Sequence, residues 1–218
     1  MSKLLNEHAK GVYIIAATPF FDDDSIDYDS LDRLTDFYLE KGVSGITILG
    51  MMGEAQKLSP DESKNVMNRV IKRVDGRVPV IVGVSNPDIK KLIKLSNSAM
   101  AAGAAGIMVA PNSSHHNDET IFNYYVEVDK ALESKIPMIY QDFPLVTKAP
   151  ISLDCLMRII REIPQVVMLK HEDWPGLEKL SELRSRSKAE GLRRISILCG
   201  NGGLYLPQEL SRGADGAM

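Results

Sequence analysis

The sequence predicts an α/β barrel, (β/α)8, built from eight parallel strands. Short β-branched runs at 12–17, 45–49, 78–82, 106–110, 137–140, 166–169, 195–199 and 214–218 alternate with helical stretches. Most of these runs are continuously apolar, which marks strands covered on both faces and hence a parallel sheet. Their midpoints recur roughly every 30 residues, the length of one βα unit.

Taken in order, the first run (VYIIAA) leads into a helix over 27–41 that carries Leu31, Leu34, Phe37 and Tyr38 at helical spacing and stops at Gly42. The second run precedes Ser59-Pro60-Asp61-Glu62, a capping box with proline at the first helical position, which opens a helix through about Val74. Helices over 88–102, 119–133, 153–162 and 176–190 follow the next four runs. Counting the runs gives a helix after each of the first seven strands. The eighth, Gly213 to Met218, has none after it, so the chain reads as one barrel domain over 1–218, truncated after strand eight. Complete barrels of this kind typically run to about 250 residues, against 218 here.

The bulk numbers exclude several roles. A net charge of -3 argues against nucleic acid or an anionic membrane as the main partner. Cys155 and Cys199 form no disulfide framework and no metal-type spacing. The first residues lack a signal-peptide core, and no apolar run approaches the ~20 residues of a membrane span. The expectation is a soluble, cytoplasmic protein.

Lys170 closes the apolar run Val166-Val167-Met168-Leu169. Strand alternation places Val166, Met168 and Lys170 on one face and Val167 and Leu169 on the other. A lysine at the C-terminal end of a barrel strand stands where such folds keep their chemistry, and desolvation there favours the neutral, nucleophilic amine.

Several segments in register resemble the dihydrodipicolinate synthase / N-acetylneuraminate lyase family of Schiff-base lyases. They are Ala17-Thr18-Pro19-Phe20, Gly50-Met51-Met52-Gly53-Glu54 with the Leu58-Ser59 helix start, Arg77 to Gly83, Ala101 to Pro111, Pro137 to Pro144, and Lys170. The resemblance covers about residues 11–218. It implies a (β/α)8 barrel with Lys170 as the imine-forming lysine, no cofactor, a small-molecule 2-oxo acid substrate, a homo-oligomer (a tetramer), and a C-terminal helical segment that this chain lacks. In the family, the loop after strand two holds the substrate carboxylate through backbone N–H and threonine hydroxyl groups, and a strand-five tyrosine moves the proton.

The chain departs from that pattern in two places. Met51 and Met52 stand where the family has threonines, so only backbone N–H groups, from Gly50 onward, remain for a carboxylate. On strand five, counting from Pro137 to Pro144 without a gap puts Gln141 at the tyrosine position. Tyr140 faces the pocket only if the strand contains a bulge. A second tyrosine, expected near Ser113, is also missing. The retained lysine without the usual relay, together with Lys170-His171-Glu172, most resembles the 2-keto-3-deoxy sugar acid dehydratases of the family.

The remaining candidates lie on the same rim. Glu172, two residues beyond the lysine, could orient it or act as a base. Gly200 and Asn201, in the loop after strand seven, could approach a ligand closely or bind a substrate hydroxyl. Gly200 to Gly203 has no GxGxxG pattern and reads as no dinucleotide site. His115 and His116 in the loop after strand four could replace a lost tyrosine. Glu54 could brace its loop or touch substrate, and Trp174-Pro175 reads as shaping the start of the next helix. The expected catalytic residues are therefore Lys170, Gln141 and Glu172, with Gly50, Met51, Met52, Tyr140, Gly200 and Asn201 binding substrate. No metal is expected. The expected reaction is dehydration or aldol cleavage of a 2-keto-3-deoxy sugar acid. The alternatives are dihydrodipicolinate synthase or another pyruvate-dependent aldolase, and a catalytically silent 2-oxo acid binder.

Overall fold

A computed structural model describes residues 4–132, 135–174 and 176–218. Eight parallel strands close in sequence order into a (β/α)8 TIM barrel: β1 (Gly11–Ile15), β2 (Gly45–Ile48), β3 (Val80–Gly83), β4 (Gly106–Val109), β5 (Met138–Asp142), β6 (Val166–His171), β7 (Ser196–Cys199) and β8 (Gly216–Ala217). The helices between them are α1 (Tyr28–Glu40), α2 (Pro60–Val74), α3 (Ile89–Ala102), α4 (Asp118–Ala131), α5 (Pro144–Thr147), α6 (Leu153–Glu162), α7 (Leu177–Ala189) and α8 (Leu206–Leu210). The sequence predicted ranges for six of these and one more after strand seven, where α8 lies, without bounds. The short α5 escaped it, because four residues are too few to show a helical period. Glu133, the expected end of α4, and Pro175 lie outside the described residues.

Local signals act as expected. The Ser59 Oγ accepts from the Glu62 backbone N–H at 3.2 Å, and the Glu62 carboxylate accepts from the Ser59 N–H at 2.8 Å, closing the capping box of α2. No helix of the described residues is long and apolar enough to cross a membrane.

The pleat sorts the strands' side chains into two cores. Outward-facing Ile46, Ile48, Val80, Val82, Ile107, Val109, Tyr140 and Leu169 pack under the helices. Inward-facing Tyr13, Ile15, Ile81, Met108, Ile139, Met168 and Leu198 fill the barrel. Leu5 joins this inner cluster, and its N–H donates to the Ala105 carbonyl at 2.9 Å. The two-residue β8 is held by Asp215, whose buried carboxylate accepts from the Ile197 N–H and the Arg184 guanidinium at 3.0 and 2.8 Å.

One expectation needs correction. Met138 pairs with Val166, but Ile139 pairs with Met168, so Val167 is an extra residue in β6. A bulge of this kind shifts the phase of alternation. Val166 therefore packs outward with Leu169 while Val167 and Met168 both join the inner cluster. Lys170 shares its face with Met168 and not with Val166.

The outer core should dominate stability. Leu156 of α6 is fully buried in it, so Leu156→Ala should lose about 2–5 kcal/mol of unfolding free energy, measured as a lowered urea midpoint.

Candidate active site

The phase set by the bulge turns Leu169 outward, Lys170 inward and His171 outward at the C-terminal rim. Lys170 is 5% exposed. Burial pushes its amine below the ordinary lysine value of 10.5, an effect that the Glu172 carboxylate beside it only partly offsets. The Lys170 Nζ lies 3.3 Å from Glu172 Oε1. The other carboxylate oxygen, Oε2, accepts from the Gln141 side-chain amide at 2.8 Å. Gln141 sits opposite Lys170 in the β5–β6 register, so three residues from two adjacent strand ends form one buried chain, Lys170–Glu172–Gln141.

The loop after β7 completes it. The Asn201 N–H reaches Glu172 Oε1 at 3.4 Å, and the Asn201 side-chain amide reaches the Glu172 carbonyl at the same distance. Gly200 is needed for space: a Cβ there would stand 2.1 Å from Glu172 Cγ. The glycine admits a protein carboxylate, where the sequence suggested a ligand.

The other sequence-selected residues divide. Tyr140 is not a pocket residue. Its ring is fully buried on the outer face of the barrel, stacked on Tyr125 of α4 with centroids 4.8 Å apart. The bulge lies in β6 and leaves the alternation of β5 intact, which sends Gln141 inward in its place. Gly50, Met51 and Gln141 line a cavity of about 900 Å³ that also reaches Gly83, Val84 and Met108. Met52 stands on the rim, 62% exposed. The β2 loop is held from below by Thr18, whose hydroxyl donates to the Gly53 carbonyl at 2.7 Å. Glu54 pairs with Lys57 on the surface. His115 packs on Tyr124 of α4, ring centroids 4.3 Å apart, and burial lowers its pKa. Trp174 is half-exposed, its ring 6.0 Å from Tyr205. Among the described residues no group of three or more His, Cys, Asp or Glu could hold a metal ion.

A second polar layer lies behind the first. Asp142 and His171, the outward neighbours of Gln141 and Lys170, are both buried. Lys179 of α7 donates to Asp142 Oδ2 at 2.6 Å and to Asp173 Oδ2 at 3.0 Å. His171 Nδ1 lies 3.0 Å from Glu209 Oε1 of α8. Sequence reasoning missed Lys179. Its one sequence signal is a place four residues before buried Leu183, on the apolar side of α7.

Comparison with known proteins places the chain. The sequence model of the Dihydrodipicolinate synthetase family matches residues 8–218. The 4-hydroxy-tetrahydrodipicolinate synthase of Sorangium cellulosum is 32% identical over 95% of this chain and 67% of its own length. A crystal structure described as dihydrodipicolinate synthase from Rhodopseudomonas palustris superposes with a TM-score of 0.96 at 47% identity, covering all of this chain and 72% of that one. Another, described as a monomeric dihydrodipicolinate synthase variant, gives 0.86 at 25% identity over 97% of this chain and 69% of that one. The chain spans about two thirds of the length of these relatives. It belongs to the dihydrodipicolinate synthetase family, whose members are lyases of the class I, lysine-imine type.

Because Glu172 fills the space above Gly200, Gly200→Ala should destabilise the protein by about 1–3 kcal/mol, the usual cost of overpacking, measured by chemical denaturation.

Proposed function

We propose that, within this family, the chain uses Lys170 to form an imine with a 2-oxo acid and catalyses dehydration or retro-aldol cleavage of a 2-keto-3-deoxy sugar acid. The observation that carries this reading is the buried Lys170–Glu172–Gln141 chain at the C-terminal end of β6, where an amine and a carboxylate meet and the side chain hydrogen-bonded to the carboxylate is an amide.

The steps follow from the chemistry of those groups. Burial favours the neutral Lys170 amine, whose lone pair attacks C2 of the 2-oxo acid. The resulting carbinolamine loses its hydroxyl as water, leaving an iminium between Nζ and C2. Glu172, 3.3 Å from Nζ, accepts the proton that the attacking amine gives up. The iminium then draws electrons from C3. Loss of a C3 proton gives an enamine that expels a C4 hydroxyl as water; in the retro-aldol alternative, a proton leaves the C4 hydroxyl and the C3–C4 bond breaks. Gln141 holds Glu172 in place and presents an amide to the same cavity. Gly50 and Met51 border the cavity that Gln141 lines, and in this reading their backbone N–H groups take the substrate carboxylate.

Met51 and Met52 offer no hydroxyl at the loop, which favours this reaction over a synthase that needs a relay. A pyruvate-dependent aldolase or synthase is the second reading, supported by the names of the relatives. A cytoplasmic setting suits the proposal: both cysteines are free and buried, in keeping with a reducing compartment.

Borohydride reduction in the presence of pyruvate or a 2-keto-3-deoxy sugar acid should add the ligand's mass to the Lys170 peptide, and Lys170→Ala should abolish it. Turnover of the sugar acid, measured as 2-oxo product, separates dehydration or cleavage from silent binding. No adduct with any 2-oxo acid would remove the imine reading.

The trapping rate should rise with pH to a midpoint below 10.5, the ordinary lysine value. Glu172 raises the amine pKa, so Glu172→Gln should move that midpoint to lower pH while reducing the plateau, measured as trapping rate against pH.

A further inference from the structure

We propose that Lys179 is a positioning residue for the Lys170 amine, acting from outside the barrel through Asp142 and Asp173. This rests on the reading of Lys170–Glu172–Gln141 as the reacting group and its partners.

The geometry is a mirror across the sheet. Gln141 and Glu172 point inward and are joined at 2.8 Å. The residue after each, Asp142 and Asp173, is joined on the other side by one ammonium, Lys179 Nζ, at 2.6 and 3.0 Å. Gln141 and Asp142 are consecutive in β5 and face opposite ways, and Asp173 directly follows Glu172, so a clamp on 142 and 173 constrains where 141 and 172 point. The backbone closes the frame: the Glu172 N–H donates to the Asp142 carbonyl at 2.9 Å. Glu172 is the residue after β6, and this bond is what ties its backbone to β5. Lys179 adds a side-chain tie between the next residue, Asp173, and Asp142.

The charges suit a fixed device. Lys179 is nearly buried and Asp142 fully so, whereas Asp173 is partly exposed. Burial alone would disfavour the Lys179 ammonium, but Asp142 and Asp173 outweigh it and hold its pKa above 10.5. The groups facing this clamp are Asp142 on β5, His171 on β6, Asp173 in the following loop, and the Tyr125 and Tyr140 rings. Glu172 is the carboxylate facing Lys170. Lys179 bonds to Asp142 and Asp173, the residues next to Gln141 and Glu172, and Glu172 is the carboxylate beside the amine, so the influence of Lys179 on the amine runs through Glu172.

A double-mutant cycle between Lys179→Met and Glu172→Gln tests this, with pyruvate and borohydride as the probe and thermal unfolding measured in parallel. Lys179→Met alone should slow trapping roughly ten-fold and move its pH midpoint downward, because the carboxylate no longer stays beside the amine. In the Glu172→Gln background the same substitution should leave the trapping rate and midpoint nearly unchanged, yet lower the melting temperature as before. Asp173→Asn, which leaves the Asp142–Lys179 pair intact, should slow trapping in the same direction by less, and it serves where Lys179→Met does not fold. Equal rate losses in both backgrounds, or an unshifted midpoint in Lys179→Met and Asp173→Asn, would overturn the proposal. If pyruvate gives no adduct in the unmodified protein, reductive methylation of Lys170 by formaldehyde and borohydride reads the same amine without a 2-oxo acid. A downward midpoint there in Lys179→Met upholds the clamp while the catalytic reading falls; no shift removes both.

Discussion

An amine inside a barrel is a costly group, and the rim of this protein is arranged around keeping one there. Lys170 gives up nearly all its water at the end of β6, and an unpaired buried charge would be neutralised or would destabilise the fold. Glu172 answers that need, and the demand then passes outward. The carboxylate takes hydrogen bonds from Gln141 and the Asn201 backbone, and Gly200 makes room for its methylene groups. Five residues from three strand ends or loops are thus tied to one nitrogen.

The same pleat that points Lys170 inward points His171 outward, and the polar character continues behind the sheet. Asp142, His171, Lys179 and Glu209 occupy positions where a barrel usually places apolar side chains against its helices. Buried ion pairs of this kind add little net stability, because desolvation offsets their attraction. What they provide is direction. An ion pair that fails when displaced holds strand ends to one geometry more tightly than interchangeable methyl groups do. The bulge at Val167 is the hinge of the arrangement, since without that extra residue Val166, and not Val167, would share the inner face with Met168 and Lys170.

The opposite side of the mouth is built differently. The loop after β2 presents Gly50 and Met51 to a cavity with Val84 and Met108, and its shape is held by Thr18 from the end of β1. Methionine is unbranched and polarisable, so it fills such a space without fixing one orientation. The β5–β7 side of the mouth is thus polar and fixed in direction, and the β2–β3 side largely apolar and adaptable.

Much of this was legible in the residues. Continuous apolar runs at regular spacing dictated a parallel barrel, because a strand buried on both faces has no polar residues to spare. The capping box at Ser59 started α2 where expected, since caps depend on neighbours a few residues apart. Lys170 at the end of β6, and the inward face of Gln141, followed from counting along single strands. The tertiary structure alone decided three things. The bulge in β6 arises from pairing with β5, so no local pattern exposes it, and it set which residues accompany Lys170 inward. Tyr140 faces outward where counting along β5 places it, but that β5 carries no bulge to turn it inward shows only in the pairing with β6. Lys179 found its carboxylates six and thirty-seven residues away. A long-range ion pair leaves only a lysine on the apolar side of a helix in the sequence, and its partners become visible once the chain has closed on itself.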